Sequence, residues 1–159
     1  MEYPKIVDLV NEADSVYLGI YSKEMAEEMY ISSEMVDNLI DGEDRREYVC
    51  IYKNEDLVGF ASFYLKNSQT VWLSMFHIDP EYQKQGLGSI FLKKIEEQAK
   101  KLKALVIVLE TDKKATWAVN FYKKNNYQIL SDEDLTKYHF DKALEKKQVE
   151  GRYIFGKKL

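Results

Sequence analysis

The 159-residue sequence holds a single cysteine, Cys50, so no internal disulfide is possible, and a lone thiol fits a reducing cytoplasm. It has no apolar run of 18 residues or more, which leaves no candidate for a membrane-spanning helix. The opening Met1-Glu2-Tyr3-Pro4-Lys5 lacks a basic stretch followed by an apolar one, so no secretory leader is expected. Two histidines and one cysteine offer no metal-ligand spacing, and no metal is expected. No internal repeat and no low-complexity tract interrupts the chain. No basic helix or aromatic nucleic-acid signature appears, and the net charge of −4 argues against nucleic acid as a partner.

Hydrophobic residues make up 45% of the chain, enough for a real core and too many for a disordered segment. The length suits a single domain over 1–159, as a monomer or homodimer. The charge is unevenly spread. Residues 1–60 carry 15 Asp/Glu against 5 Lys/Arg, and residues 61–159 carry 12 against 18. A basic half that includes Lys84, Lys113, Lys114, Lys123 and Lys124 favours a phosphorylated ligand.

The sequence places such a ligand at Gln83-Lys84-Gln85-Gly86-Leu87-Gly88-Ser89. These residues follow the apolar run Val71–Ile78 and an Asp79-Pro80 stop, and they open a helix marked by Leu87, Phe91, Ile95, Ala99 and Leu102. A strand, a glycine-containing turn and a helix N-terminus form an anion site: the first-turn N–H groups are unpaired and the dipole favours negative charge. Gly86 and Gly88 lack a Cβ, so a phosphate approaches the backbone closely. The dinucleotide fingerprint needs a third glycine, which Ser89-Ile90-Phe91 does not supply, and no G-x-x-x-x-G-K-[ST] run exists.

What stands here, Q-x-x-G-x-G, resembles the acetyl-CoA pyrophosphate loop of the GNAT superfamily of N-acetyltransferases. Ala118-Val119-Asn120-Phe121-Tyr122-Lys123-Lys124-Asn125-Asn126-Tyr127 resembles the same family's A-x-x-F-Y-x-K-x-G-F segment. Asn126 replaces the usual glycine, and asparagine is the next best residue for a left-handed helix end. Ala115 stands where many members carry a cofactor-contacting asparagine. The resemblance covers roughly Tyr48 to Tyr127.

The periodicity predicts two helices over about 5–40, broken near Gly19. Ile6, Val10, Ala13 and Tyr17 are the apolar positions of the first, and Met25, Met29, Met35 and Leu39 those of the second. Strands are expected at 48–52 and 57–65, joined at Asn54-Glu55, then one after Asn67-Ser68-Gln69 and ending at Ile78. The helix 87–102 leads to the run 104–109, whose continuous apolarity suits a strand buried on both faces, as in a parallel pair. The strand–helix–strand crossover should be right-handed. Asp112 is the expected N-cap of the Tyr122 helix. Strands near 127–130 and 152–155 follow, with a helix from Ser131 to about Lys147 between them. The fold class is thus mixed α/β (α+β). It has a mainly antiparallel central sheet, a parallel strand–helix–strand cofactor unit and flanking helices. The family's usual first strand is short or absent before Tyr3-Pro4, so that sheet edge is expected to be open.

The resemblance implies acetyl transfer from acetyl-CoA to a primary amine. An alkyl ammonium has a pKa of ~10.4, so at pH 7 only about one in a few thousand is neutral, and a base or selective binding must supply the nucleophile. The resemblance gives main-chain contacts to the acetyl and pantetheine at Phe76, His77 and Ile78. It gives pyrophosphate contacts at Gln83, Lys84, Gln85, Gly86, Leu87, Gly88 and Ser89, a further cofactor contact at Lys124, and a general acid at Tyr122. Trp72, Ser74, Phe76 and Ile78 should share one strand face by alternation. Relatives often hold a base at the first two of these positions, where neither Trp72 nor Ser74 can serve. Glu110 and a water chain remain as alternatives for the base. His77, on the opposite face, reads as structural, and His139 as exposed in an acidic helix. Cys50 lies in an apolar strand and reads as a small hydrophobe rather than an acyl carrier, so direct attack in a ternary complex is expected.

The family's acceptor enters along the first two helices. Glu24, Glu27, Glu28, Glu34, Asp37, Asp41, Glu43 and Asp44 stand there, with Asp132, Glu133 and Asp134 before the last strand. A cationic acceptor is therefore expected. Two other readings compete: a non-catalytic acetyl-CoA sensor, and a phosphate-ligand domain unrelated to coenzyme A.

Overall fold

A computed structural model describes residues 3–28, 30–41, 46–138 and 150–159. Helix α1 spans Tyr3–Asp14 and runs into a 3₁₀ turn at Ser15–Gly19; α2 is Lys23–Glu27 and α3 is Ser33–Asp41. Strands β1 (Glu47–Lys53), β2 (Asp56–Asn67) and β3 (Thr70–Ile78) follow. Helix α4 (Leu87–Lys101), β4 (Val106–Asp112), α5 (Thr116–Lys124), β5 (Gln128–Ile129), α6 (Asp132–Lys137) and β6 (Arg152–Lys158) complete the order.

The six strands form one sheet in the order β1-β2-β3-β4-β6-β5. β1–β2, β4–β6 and β5–β6 are antiparallel. A two-residue turn joins β2 to β3, so β3–α4–β4 supplies the sheet's one parallel pair. The expected class, a mixed and mainly antiparallel sheet with flanking helices, is the observed one. Among the described residues no strand precedes α1, and β1 forms the sheet edge.

Contacts gather into two units, Met1–Tyr64 with Leu73–Gln98 and Leu65–Trp72 with Ala99–Leu159. In the first unit Ile6, Leu9 and Val10 of α1 pack with Val36, Leu57 and Phe60. On α4, Phe91, Leu92 and Ile95 are fully buried, as their spacing predicts. In the second, Val106, Ile107, Val108 and Leu109 are all buried, which is the two-faced burial read from their continuous apolarity.

Several local expectations need correction. The second predicted helix is two pieces, α2 and α3. Asn11 holds both backbone groups of Ile31, accepting its N–H at 2.8 Å and donating to its carbonyl at 3.0 Å, which fixes that segment outside a helix. Ser22 and Ser32 then accept the N–H groups of Met25 and Met35 and start separate helices. Met25 and Met35 are exposed, and Ala26 and Val36 are the buried positions, because each cap resets the phase. Met29, the Leu39 side chain, Glu43, Asp44, His139 and Lys147 lie outside the described residues.

Asp112 does not cap α5. It ends β4, its carboxylate accepts the Lys114 N–H at 2.8 Å, and Ala115 takes the N-cap position without a side-chain bond. The run predicted from Ala104 begins its strand at Val106, since both Leu105 and Val106 donate to the Gln69 carbonyl. The final strand reaches Lys158 rather than Phe155, along the full length of β4.

Candidate active site

The loop at residues 79–90, expected to hold a phosphate, is braced from within. Asp79 accepts the Glu81 N–H at 2.8 Å and nucleates the turn Pro80–Tyr82. Gln83 donates its side-chain amide to the Ile78 carbonyl at 2.9 Å, and Gln85 donates to the Glu81 carbonyl at 2.9 Å. Both glutamine side chains thus hold the loop's own backbone. Lys84 and Gly86 adopt left-handed conformations, with φ of 58° and 83°. Left-handed residues alternating with ordinary ones turn successive N–H groups toward a common concavity, the geometry that binds anions. The bond from Ile90 N–H to the Gly86 carbonyl, 3.2 Å, opens α4, whose first turn adds its own N–H groups and dipole. Lys84 contributes an exposed cation.

Below the loop, α4 lies close to the strands because Gly59 has no side chain. A Cβ there would sit 3.1 Å from Ile78 and 3.3 Å from Phe91. Phe76 and Phe91 rings pack 5.2 Å apart. Phe76 and Ile78 therefore face α4, as alternation requires. Asp79 donates its N–H to the Val58 carbonyl at 3.1 Å, so the main-chain groups of Phe76 and Ile78, in the opposite phase, point away from β2.

The opposite face of β3 belongs to α1. His77 Nε2 stands 3.2 Å from Asp14 Oδ1, and both side chains are 16% exposed. Met75 packs on the α1–α3 cluster. Ser74, expected with Phe76 and Ile78, also turns this way. Its hydroxyl donates to the Ser62 carbonyl at 2.9 Å and lies 3.2 Å from the Ser62 hydroxyl. Ser62 shares its β2 face with Phe60, which belongs to the α1 cluster. Consecutive residues Ser74 and Met75 thus meet one face of β2, the break in alternation that a β-bulge produces. Arg46 joins them, with Nη1 3.5 Å from the Ser74 hydroxyl and its guanidinium 4.8 Å from the Tyr64 ring centre.

In the other unit, α5 carries Tyr122. It is buried, with its ring 5.7 Å from Tyr127 and 5.8 Å from Phe155. The helix ends in a Schellman motif: Tyr127 N–H donates to the Tyr122 carbonyl and Asn126 N–H to the Lys123 carbonyl, with Asn126 at φ 67°. Asparagine thus fills the glycine position as expected. Glu110 pairs with Ile154 across β4–β6, and Leu109 pairs with Phe155. Opposed residues share a face, so Glu110 lies on the face away from Phe155 and Tyr122. Lys124 is exposed at the end of α5.

The structure brings Phe76, His77, Ile78 and Gln83–Ser89 into one unit and Tyr122, Glu110 and Lys124 into the other. It sets Tyr122 and Glu110 on opposite faces. Sequence reasoning missed Asp14, Arg46 and Ser62, whose partners lie 12 to 63 residues away and leave no local signal. Among the described residues no group of three or more His, Cys, Asp or Glu could hold a metal ion, and no helix is long and apolar enough to cross a membrane.

Over 95 residues the chain is 35% identical to a spermine/spermidine N(1)-acetyltransferase of Bacillus subtilis (strain 168), covering 54% of this chain and 62% of that one. A probable spermine N(1)-acetyltransferase of Bacillus subtilis subsp. natto (strain BEST195) gives the same values. The chain therefore spans less than two thirds of the length of these relatives. The crystal structure of PaiA N-acetyltransferase from Thermoplasma acidophilum in complex with coenzyme A shares the fold. Its TM-score is 0.79 at 22% identity, with 99% of this chain and 93% of that one covered. Residues 6–127 fit the model of the acetyltransferase (GNAT) family, and the chain belongs to that family.

Proposed function

We propose that the chain, as one acyltransferase domain over 1–159, transfers an acetyl group from acetyl-CoA to a primary amine by direct attack in a ternary complex. The observation that carries this reading is the braced loop at residues 83–89. Left-handed Lys84 and Gly86 and the start of α4 offer unpaired main-chain donors to a pyrophosphate. The main-chain N–H groups of Phe76 and Ile78, directed off β2, suit an acetyl oxygen as it becomes an oxyanion. Glu110, on the other face of β4, first takes a proton from the acceptor's ammonium, directly or through water, and the neutral amine then attacks the thioester carbonyl and expels the thiolate. Tyr122 then gives a proton to the departing thiolate of coenzyme A.

The acceptor is proposed to be cationic. Glu24, Glu27, Glu28, Glu34 and Asp37 are exposed on or beside α2 and α3, as are Asp132 and Glu133 on α6. A field of one sign raises the local concentration of ligands of the other. Two curated relatives are named for spermine or spermidine, which agrees. The lone Cys50 fits a cytoplasmic setting. One observation favours a second reading, a non-catalytic acetyl-CoA sensor: Trp72 and Ser74 occupy the positions where relatives often carry a base, and Ser74 is bonded to Ser62.

An amine screen with detection of released thiol separates the two. Turnover with a polyamine or another cationic amine is expected, with KM rising steeply from low to physiological salt as the field is screened over about 10 Å. No turnover with any amine, despite acetyl-CoA binding, would leave the sensor. A neutral or anionic best acceptor, or a KM indifferent to salt, would remove the electrostatic argument alone.

A further inference from the structure

We infer that Asp14 and His77 form a positioning pair that sets the strand segment on which the thioester is held. The inference rests on the proposed acetyl-CoA reading of Phe76–Ile78. His77 is the middle residue of that segment. Of its neighbours, Phe76 packs on Phe91 of α4, Ile78 lies against Gly59 on that same side, and the Ile78 carbonyl is tied by Gln83. His77 alone among the three reaches to α1, where Nε2 stands 3.2 Å from Asp14 Oδ1 across a sequence separation of 63 residues. Asp14 ends α1, and the 3₁₀ turn Ser15–Gly19 begins at the next residue.

The imidazole is held in one orientation. Among the described residues Nδ1 is buried without a hydrogen-bond partner, while Nε2 meets a carboxylate, so Nε2 carries the donated proton. A buried unpaired nitrogen is destabilising. The ring's other nitrogen bonds to the Asp14 carboxylate. That bond fixes the rotation of β3 at residue 77, and with it the direction of the Phe76 and Ile78 main-chain groups. The strand is pinned from both faces, by Phe91 through Phe76 and by Asp14 through His77.

The test compares acetyl-CoA with coenzyme A, which differ only in the acetyl group. Both are titrated calorimetrically into the wild-type chain, Asp14→Ala, Asp14→Asn and His77→Ala. If the pair aims the acetyl-binding groups, Asp14→Ala and His77→Ala lose roughly five- to tenfold in acetyl-CoA affinity, the worth of one hydrogen bond, and keep their coenzyme A affinity. Asp14→Asn, which preserves an acceptor, restores most of the preference. The chain has two histidines, so ¹⁵N-histidine spectra of the wild type and His77→Ala identify the His77 ring, expected as the Nε2–H form. Equal weakening of both ligands, or no change in either, would overturn the positioning role and leave the acetyltransferase reading intact. A wild-type chain that binds neither ligand would overturn both.

Discussion

The phosphate loop and the β4–α5–β6 region are built from different material. The loop works through backbone. Its two glutamine side chains bond to carbonyls of the chain itself, at Ile78 and Glu81, and what it presents is a set of N–H groups at two left-handed residues and a helix start. The β4–α5–β6 region is proposed to work through side chains, with Tyr122 packed against Tyr127 and Phe155 on one face and Glu110 on the other. Backbone sites depend on conformation, so glycine and bracing residues govern them. Side-chain sites depend on single functional groups. Mutations in the first should act on binding, and mutations in the second on turnover.

The largest expected effect lies in the side-chain region. Tyr122→Phe keeps the ring packing and removes the hydroxyl, so kcat should fall by about 10²–10⁴-fold with acetyl-CoA affinity nearly unchanged. Steady-state kinetics beside calorimetry check this, and an unaltered kcat would reduce Tyr122 to a packing residue. Glu110→Gln sharpens the contrast. If Glu110 is the base, kcat should drop by about 10²-fold and the loss should be smaller at high pH, where more amine is already neutral. A flat ratio of variant to wild type across the pH profile would point to water instead.

The loop offers a smaller, internal comparison. Gly86 sits at φ 83°, and a Cβ added there would have nothing within 4 Å, so a side chain meets no clash and only backbone strain. Gly88 lies within α4 at an ordinary helical position. Gly86→Ala should cost about 1–2 kcal/mol in a left-handed conformation, and acetyl-CoA affinity should fall with it. Gly88→Ala should keep the fold and weaken binding only as far as its methyl obstructs the phosphate. Equal effects would show that close approach, not conformation, governs both positions.

The smallest effect concerns helix ends. Asn126 at φ 67° and Lys103 at φ 63° both close a helix by the same bonding pattern, Tyr127 to Tyr122 in one and Ala104 to Ala99 in the other. Lys103→Gly should stabilise by about 1 kcal/mol, since glycine is unpenalised there, and Asn126→Gly by less, since asparagine tolerates the region. Urea unfolding midpoints distinguish them.

The same contrast explains what the sequence disclosed. Residues 83–89 were legible because glycine spacing after an apolar run and before a helical one reports backbone conformation directly. Asn126 was legible for the same reason. The two-faced burial of Val106–Leu109 showed in four consecutive apolar residues. The break between α2 and α3 was hidden because it is made by Asn11, 20 residues from the Ile31 it holds. The turn of Ser74 toward Ser62 was hidden because its partner lies 12 residues away on β2. Asp112 misled because an aspartate serves equally well in an N-cap and in the turn that closes β4 onto Lys114.

The central claim is that the 83–89 backbone holds the pyrophosphate of acetyl-CoA. The most direct measurement titrates acetyl-CoA and S-acetylpantetheine, which lacks the pyrophosphate, into the wild type and Gly86→Val. A β-branched residue cannot hold φ 83° without strain, so the account predicts that acetyl-CoA binds the wild type far more tightly than S-acetylpantetheine and that Gly86→Val abolishes most of this difference. Unchanged acetyl-CoA affinity in Gly86→Val would contradict it.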